Sequence, residues 1–233
     1  MPGTAPIEIR TDVDGLRDAL GDVAAHGGGV VQWWVSDPTA QHEKVAASFG
    51  LARGRDIWQL RRPLPAARPE PIALRAFVPG HDEAAWLEVN NRAFAQHSEQ
   101  SGWTTADVVA REAEPWFDAA GFLLHEDDAT GRLAGFVWTK VHAEPEVLGE
   151  IYVIGVDPAF GGRGLGPALT LSGLQHLHDA RGIATGMLYV DADNYVANRM
   201  YDRLGFTRHH VDRSFRGTVE GGAVRPTRPP RDR

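Results

Sequence analysis

The 233-residue chain contains no cysteine. That excludes disulfides and thiolate catalysis alike, and nothing in the composition points to an oxidising compartment. Lysine is nearly as scarce, present only at Lys44 and Lys140, whereas arginine is abundant. No run approaches the ~18 consecutive apolar residues that a membrane-spanning helix requires. The opening Met1-Pro-Gly-Thr-Ala has neither the basic start nor the apolar stretch of a secretory leader, so a cytoplasmic protein is expected. The formal charge of −7 argues against a nucleic-acid partner. His97, His125, His142, His176 and His178 lack metal-ligand partners at convincing spacing, and no metal site is expected.

What the chain does have is glycine behind a strand. Glu150 to Val156 reads as an apolar strand and Asp157-Pro158 as a turn. Gly161-Gly162-Arg163-Gly164-Leu165-Gly166-Pro167 then opens an amphipathic run. Successive backbone N–H groups at a helix N-terminus attract anions, and glycine lets the backbone close around a phosphate. A phosphate-bearing cofactor is therefore expected. A dinucleotide fold fits less well. Gly162-x-Gly164 opens such a fingerprint and Asp191 ends a later strand as a ribose-binding acid would, but Pro167 stands at the third glycine position. A P-loop is excluded because no Gly-Lys-Ser/Thr follows the glycines.

The pattern Gly161-x-x-Gly164-x-Gly166 after a strand ending Val-Asp-Pro resembles the acetyl-CoA loop of the GCN5-related N-acetyltransferases (GNAT), whose N–H groups hold the CoA pyrophosphate. Gly161 stands where Gln or Arg is usual, so one side-chain contact is lost and the backbone cradle is kept. The family's second signature, Asn-x-x-Ala-x-x-x-Tyr-x-x-x-Gly-Phe, is matched by Asn194, Ala197, Tyr201, Gly205 and Phe206. Physically, Asp193 or Asn194 suits a helix cap and Gly205 a left-handed helix end. A narrower resemblance lies in Asn90-Asn91-Arg92-Ala93-Phe94, His97 to Trp103, Trp116-Phe117-Asp118, Gly135 to His142 and Leu148 to Val153. From Pro71 to about Phe215 these stretches resemble the mycothiol synthases, which move acetyl from acetyl-CoA to the cysteinyl amine of a cysteine–glucosamine–inositol conjugate.

The resemblance implies an α/β (α+β) fold of the GNAT type, a mixed, mostly antiparallel sheet with flanking helices. In the second half, strands are predicted over Ile72–Phe77, Phe122–His125, Leu133–His142, Leu148–Val156, Thr185–Val190 and Phe206–Phe215. Helices are predicted over His81–Phe94, Thr104–Ala113, Leu165–Arg181 and Asn194–Leu204.

The proline-rich stretch Pro63–Pro71 suggests a boundary, with residues 1–65 before a linker at 66–71, a catalytic domain at 72–216 and a disordered tail at 217–233. The first part parallels the second. Val35 to Gly50 and Val190 to Gly205 have the same spacing, and Asp37-Pro38 and Gly50-Leu51 echo Asp193-Asn194 and Gly205-Phe206. The first part is read as a partial, degenerate GNAT-like half, preceding the complete one. It has no glycine loop, and Asp12 and Asp14 at its first helix would repel a pyrophosphate.

The resemblance also assigns roles. Glu150 would bind the amine and serve as general base, and Tyr201 would protonate the leaving thiolate. Ile154, Gly155 and Val156 would polarise the carbonyl and pair with the pantetheine arm. Gly161, Gly162, Arg163, Gly164, Leu165, Gly166 and Pro167 would hold CoA, together with Asn194, Tyr195, Val196, Ala197, Asn198 and Arg199. Tyr189, Lys140, Glu99 and Glu150 would contact the acceptor. The expected protein is a monomeric N-acetyltransferase working by direct transfer in a ternary complex. The competing readings are another small-amine or protein N-terminal acetyltransferase, and a noncatalytic acetyl-CoA-binding regulatory module.

Overall fold

A computed structural model describes residues 5–95, 100 and 102–222. The elements of the first part are β1 (Ile7–Ile9), α1 (Leu16–Ala25), β2 (Gly28–Ser36), α2 (Ala40–Ser48) and β3 (Ala52–Pro63). There follow β4 (Arg75–Ala76), α3 (Glu83–Ala93), α4 (Thr105–Glu112), β5 (Phe122–Glu126), β6 (Leu133–His142) and β7 (Leu148–Val156). The last are α5 (Leu165–Asp179), β8 (Thr185–Asp191), α6 (Tyr195–Arg203) and β9 (Thr207–Glu220). The chain forms two compact units. One contains the described residues up to Gln59 with 190–195 and those from Arg208 on; the other contains Leu60–Tyr189 and Val196–Thr207. The proline-rich stretch thus lies inside the second unit.

In the first unit β1 runs parallel to β2 and β2 antiparallel to β9. Trp33, Phe215, Leu16, Leu20 and Val31 form its core. The buried Trp33 indole donates to the Thr11 carbonyl at 2.9 Å, so the polar end of the side chain is satisfied. Gly217 to Glu220, which composition placed in a disordered tail, are the end of β9 and pair with Val31 to Gly28. The reason is the partner strand, whose length composition does not reveal. Gly217 fits there because a Cβ would lie 2.7 Å from Leu51 Cδ2.

The second unit is built on β8–β7–β6–β5–β4, antiparallel except for the parallel β7–β8 pair. One face carries Trp86 of α3 against Phe122, Phe136 and Trp138, with Phe122 stacked on Trp138 at 4.4 Å. Such aromatic contacts contribute roughly 0.5–1.5 kcal/mol each beyond their buried area. The other face carries α5, whose predicted apolar positions Leu165, Leu169, Leu174 and Leu177 are all buried. A Cβ at Gly173 would lie 2.8 Å from both Ile151 and Val137, so glycine sets how closely α5 approaches the sheet.

The predicted strand over Ile72–Phe77 shrinks to Arg75–Ala76, which pair with Leu124 and Leu123. Its partner β5 is only 5 residues long. The helix predicted from His81 starts at Glu83, because the Asp82 carboxylate accepts the Val78 N–H at 2.7 Å and closes a turn ahead of it. Gly205 has φ +80°, and the Phe206 N–H bonds the Tyr201 carbonyl at 3.0 Å, the left-handed helix end expected there. Gly50 after α2 has φ +72°. The end of β2, both bounds of α2, and the start of β3 precede their counterparts in β8, α6 and β9 by one constant interval.

Candidate active site

The site begins with a break in strand pairing. β7 and β8 pair at Gly149↔Gly186 and Glu150↔Met187, and no later pair joins them among the described residues. On the other side of β7, Trp138 pairs with Val153 but Thr139 pairs with Ile151. Tyr152 is therefore the extra residue of a β-bulge. A bulge bends its strand and increases local twist. Beyond Glu150, the edge of β7 that faced β8 is left open, and an extended group bearing amides can pair with such an edge.

At the far end of β7 the chain turns into the glycine loop. Asp157 accepts from the Ala159 N–H at 2.9 Å and from Arg92 at 2.8 Å. Burial alone would push its carboxyl up, but these donors outweigh it and hold it below the usual range. A 3₁₀ turn, Pro158–Phe160, follows. Gly162 and Gly164 both adopt φ +77°. A Cβ at either would meet nothing within 4 Å, so glycine is required by the backbone and not by crowding. Gly164 is the N-cap of α5 and no side chain caps it. The N–H groups of Gly162 to Gly166 bond no acceptor among the described residues. Unsatisfied donors at the positive end of a 15-residue helix form an anion site. Arg163 bonds Asp127 at 3.2 Å and its guanidinium lies 5.0 Å from the Phe160 ring centre. A Cβ at Gly166 would lie 3.1 Å from Met200 Sδ, which brings α6 beside the loop.

Glu150 stands opposite Lys140 across β6 and β7. It is buried, 7% exposed, and its Oε2 lies 2.7 Å from His142 Nε2. Lys140 Nζ lies 4.5 Å from the Trp116 ring centre and 5.4 Å from that of Tyr152. The Tyr152 hydroxyl accepts from Arg111 Nε at 3.0 Å, and the Arg111 guanidinium covers Trp103 at 3.9 Å. Sequence reasoning passed over His142, Tyr152, Trp116 and Arg111. The period of two along β6 does place His142 on the face of Lys140, and was the one available signal.

Tyr201 on α6 is 6% exposed and meets Phe206 edge-on. Burial pushes its phenol up to about 12, so it keeps its proton through the ordinary pH range. Its hydroxyl bonds no described residue. Tyr189 on β8 is exposed. Ile154, Gly155 and Val156 form the last part of β7, beyond the bulge. Val196, Ala197, Asn198 and Arg199 lie in the first two turns of α6 within the second unit, whereas Asn194 and Tyr195 belong to the first. Glu99 lies outside the described residues. No group of three His, Asp or Glu side chains able to hold a metal occurs among the described residues, and no described helix is long and apolar enough to cross a membrane.

A strand splayed after a bulge, followed by a glycine loop opening a helix, defines an acyl-CoA-binding fold, and the chain belongs to the acetyltransferase (GNAT) family, whose model matches residues 85–206. A GCN5-related N-acetyltransferase from Sphaerobacter thermophilus is similar to it, with a TM-score of 0.67 and 26% identity over 85% of this chain and 62% of that one. A tandem GNAT protein from the clavulanic acid pathway, at 16% identity and TM-score 0.62, covers 83% of this chain and 65% of its own, and shares the fold. Within the superfamily the chain is a member of the mycothiol acetyltransferase family. It is 49% identical over 206 residues to the mycothiol acetyltransferase of Thermobispora bispora, covering 84% of this chain and 69% of that protein. With that of Streptomyces coelicolor it shares 50% over 205 residues, covering 85% and 65%. The chain spans about two thirds of the length of these two curated relatives, 69% and 65%.

Proposed function

We propose that this chain is an acetyl-CoA-dependent N-acetyltransferase that acetylates the cysteinyl amine of a cysteine–glucosamine–inositol conjugate to give mycothiol, by direct transfer in a ternary complex. The observation that carries it is the buried Glu150 at the last β7–β8 pair, where the open edge of β7 begins. The residues present fit acetyl-CoA. The uncapped N–H groups of Gly162 to Gly166 would take the pyrophosphate, and the edge of Ile154 to Val156 would take the pantetheine amides.

Amide formation from a thioester requires a neutral amine, a polarised carbonyl and a proton for the departing sulfur. Glu150 takes a proton from the acceptor ammonium. The freed lone pair forms the C–N bond as the C–S bond breaks. Tyr201, kept protonated by burial, gives its proton to the thiolate, and the second proton shed by the new amide nitrogen passes through solvent to restore the phenol. Lys140, held over Trp116, is suited to hydroxyl oxygens of a sugar. The first unit takes no acetyl-CoA in this reading. The matched boundaries of α2 and α6 support its being a degenerate copy of the second half.

The test is acetyl transfer to a panel of amines, followed by loss of the thioester absorbance and the mass of the product, since the acceptor carries its own thiol. The cysteinyl conjugate is expected to be preferred by at least about 100-fold in kcat/KM, equivalent to about 2.7 kcal/mol. Comparable rates with peptides or simple amines would favour the small-amine or N-terminal acetyltransferase reading. Binding of acetyl-CoA without transfer to any amine would favour the regulatory module.

A further inference from the structure

The geometry points to His142 as the positioning residue of the reaction: its imidazole fixes one oxygen of Glu150 so that the other faces the acceptor amine. This rests on the reading of Glu150 as the base. His142 pairs with Leu148 across the hairpin, one diagonal step from Glu150. Its Nε2 lies 2.7 Å from Glu150 Oε2. A carboxylate only accepts, so Nε2 carries the hydrogen. At this length the bond is of the stronger, charge-assisted kind.

The burial of Glu150 gives the contact its meaning, with His142 half-buried beside it. The Glu150 side chain is 9% exposed, so few water molecules compete for its lone pairs. Its Oε1 bonds no described residue, yet is not sealed from solvent. One oxygen is thus occupied and the other available. A free carboxylate rotates about its last torsion, whereas this one is pinned at Oε2 with Oε1 presented. The cation that strand register would supply, Lys140, is turned onto Trp116 and Tyr152, and Arg111 is engaged by the Tyr152 hydroxyl. Neither cation bonds Glu150 among the described residues, so orientation falls to His142 alone there.

Three substitutions test this in transfer to the cysteinyl conjugate. His142→Ala removes the donor, His142→Phe removes it while keeping a ring, and His142→Gln keeps an N–H at similar reach. Misplacing a reacting group by about 1 Å costs up to about 100-fold. His142→Ala and His142→Phe are therefore expected to lose about 10- to 100-fold in kcat, with KM for acetyl-CoA unchanged within about two-fold. His142→Gln should recover most of that loss. A merely structural histidine would not be rescued by glutamine, nor would its loss spare the KM for acetyl-CoA. Full kcat in His142→Phe, or His142→Gln as slow as His142→Phe, overturns the inference. Glu150→Gln measured alongside separates the two levels. Should it be fully active, the base assignment itself fails; should it be slow while His142→Phe is fast, only the role of His142 fails.

Discussion

Lys140 and Glu150 face each other across β6 and β7, yet they do not pair: the lysine lies over Trp116 and the carboxylate bonds His142. A cross-strand ion pair on an open surface contributes roughly 0.2–1 kcal/mol. Here that interaction is forgone, and a cation and a carboxylate are kept separately at one end of the hairpin, as the proposed polyhydroxylated amine acceptor would need.

Replacing that cation tests its purpose. Lys140→Ala should raise the KM for the cysteinyl acceptor about 10-fold and leave the KM for acetyl-CoA nearly unchanged. Initial rates with each substrate varied in turn are the measurement. A rise in the acetyl-CoA KM instead would assign Lys140 to the cofactor side.

Glu150→Gln should lower kcat by about 100-fold or more, the usual contribution of a general base, while calorimetric affinity for acetyl-CoA stays within about two-fold. Weak binding of acetyl-CoA with full kcat would reverse that assignment.

Tyr201→Phe should slow transfer by about 10-fold, less than Glu150→Gln, because water can also protonate a thiolate. Its stability effect has a defined sign. Burial raises the phenol from 10.0 to about 12, so its contribution is complete below pH 10 and is lost as pH rises toward 12. Chemical denaturation across that window should fall more steeply for the parent than for Tyr201→Phe.

Asp82 predicts the opposite limb. Burial raises its carboxyl, but bonds from Arg75, His81 and the Val78 N–H bring it down to about 2. Its stabilisation is present above the ordinary carboxyl range and is lost as pH falls toward 2. Asp82→Asn should cost about 2 kcal/mol at neutral pH and flatten the loss of stability between pH 4 and 2, as read by thermal unfolding.

Gly164→Ala isolates the loop. At φ +77° an alanine is strained by roughly 1–2 kcal/mol although its Cβ has room. The KM for acetyl-CoA should rise about 10-fold, with the acceptor KM unaffected. Unchanged cofactor affinity by calorimetry would remove the loop from pyrophosphate binding.

Local chemistry explains which parts of this molecule were readable from sequence. Leu133–His142 and Leu148–Val156 are long, mostly apolar runs that end at a loop or at Asp157-Pro158, so their bounds were legible. The glycine loop was legible because its residues have no other purpose at a helix start. β3 was not read, since it opens on Ala52-Arg-Gly-Arg-Asp, residues that are exposed or half-buried and show no period of two. The bulge at Tyr152 left no mark because no glycine or proline signals it. The tie between His142 and Glu150 depends on hairpin register, which is set on the hairpin-loop side of that bulge and which the sequence does not mark.

The bulge gives β7 two phases in one strand. Before it, Glu150 shares a side with Trp138 and Lys140; after it, Val153 and Gly155 do, and Ile154 and Val156 are carried to the other side. Parity is broken once, between the reactive carboxylate and the stretch leading to the loop. Deleting Tyr152 would therefore leave Glu150 opposite Lys140 and Val153 opposite Trp138, each on its present side, and take away only the bend that opens the edge of β7. At this point in the gene, loss of a single codon would change the course of the strand and not the side its residues face.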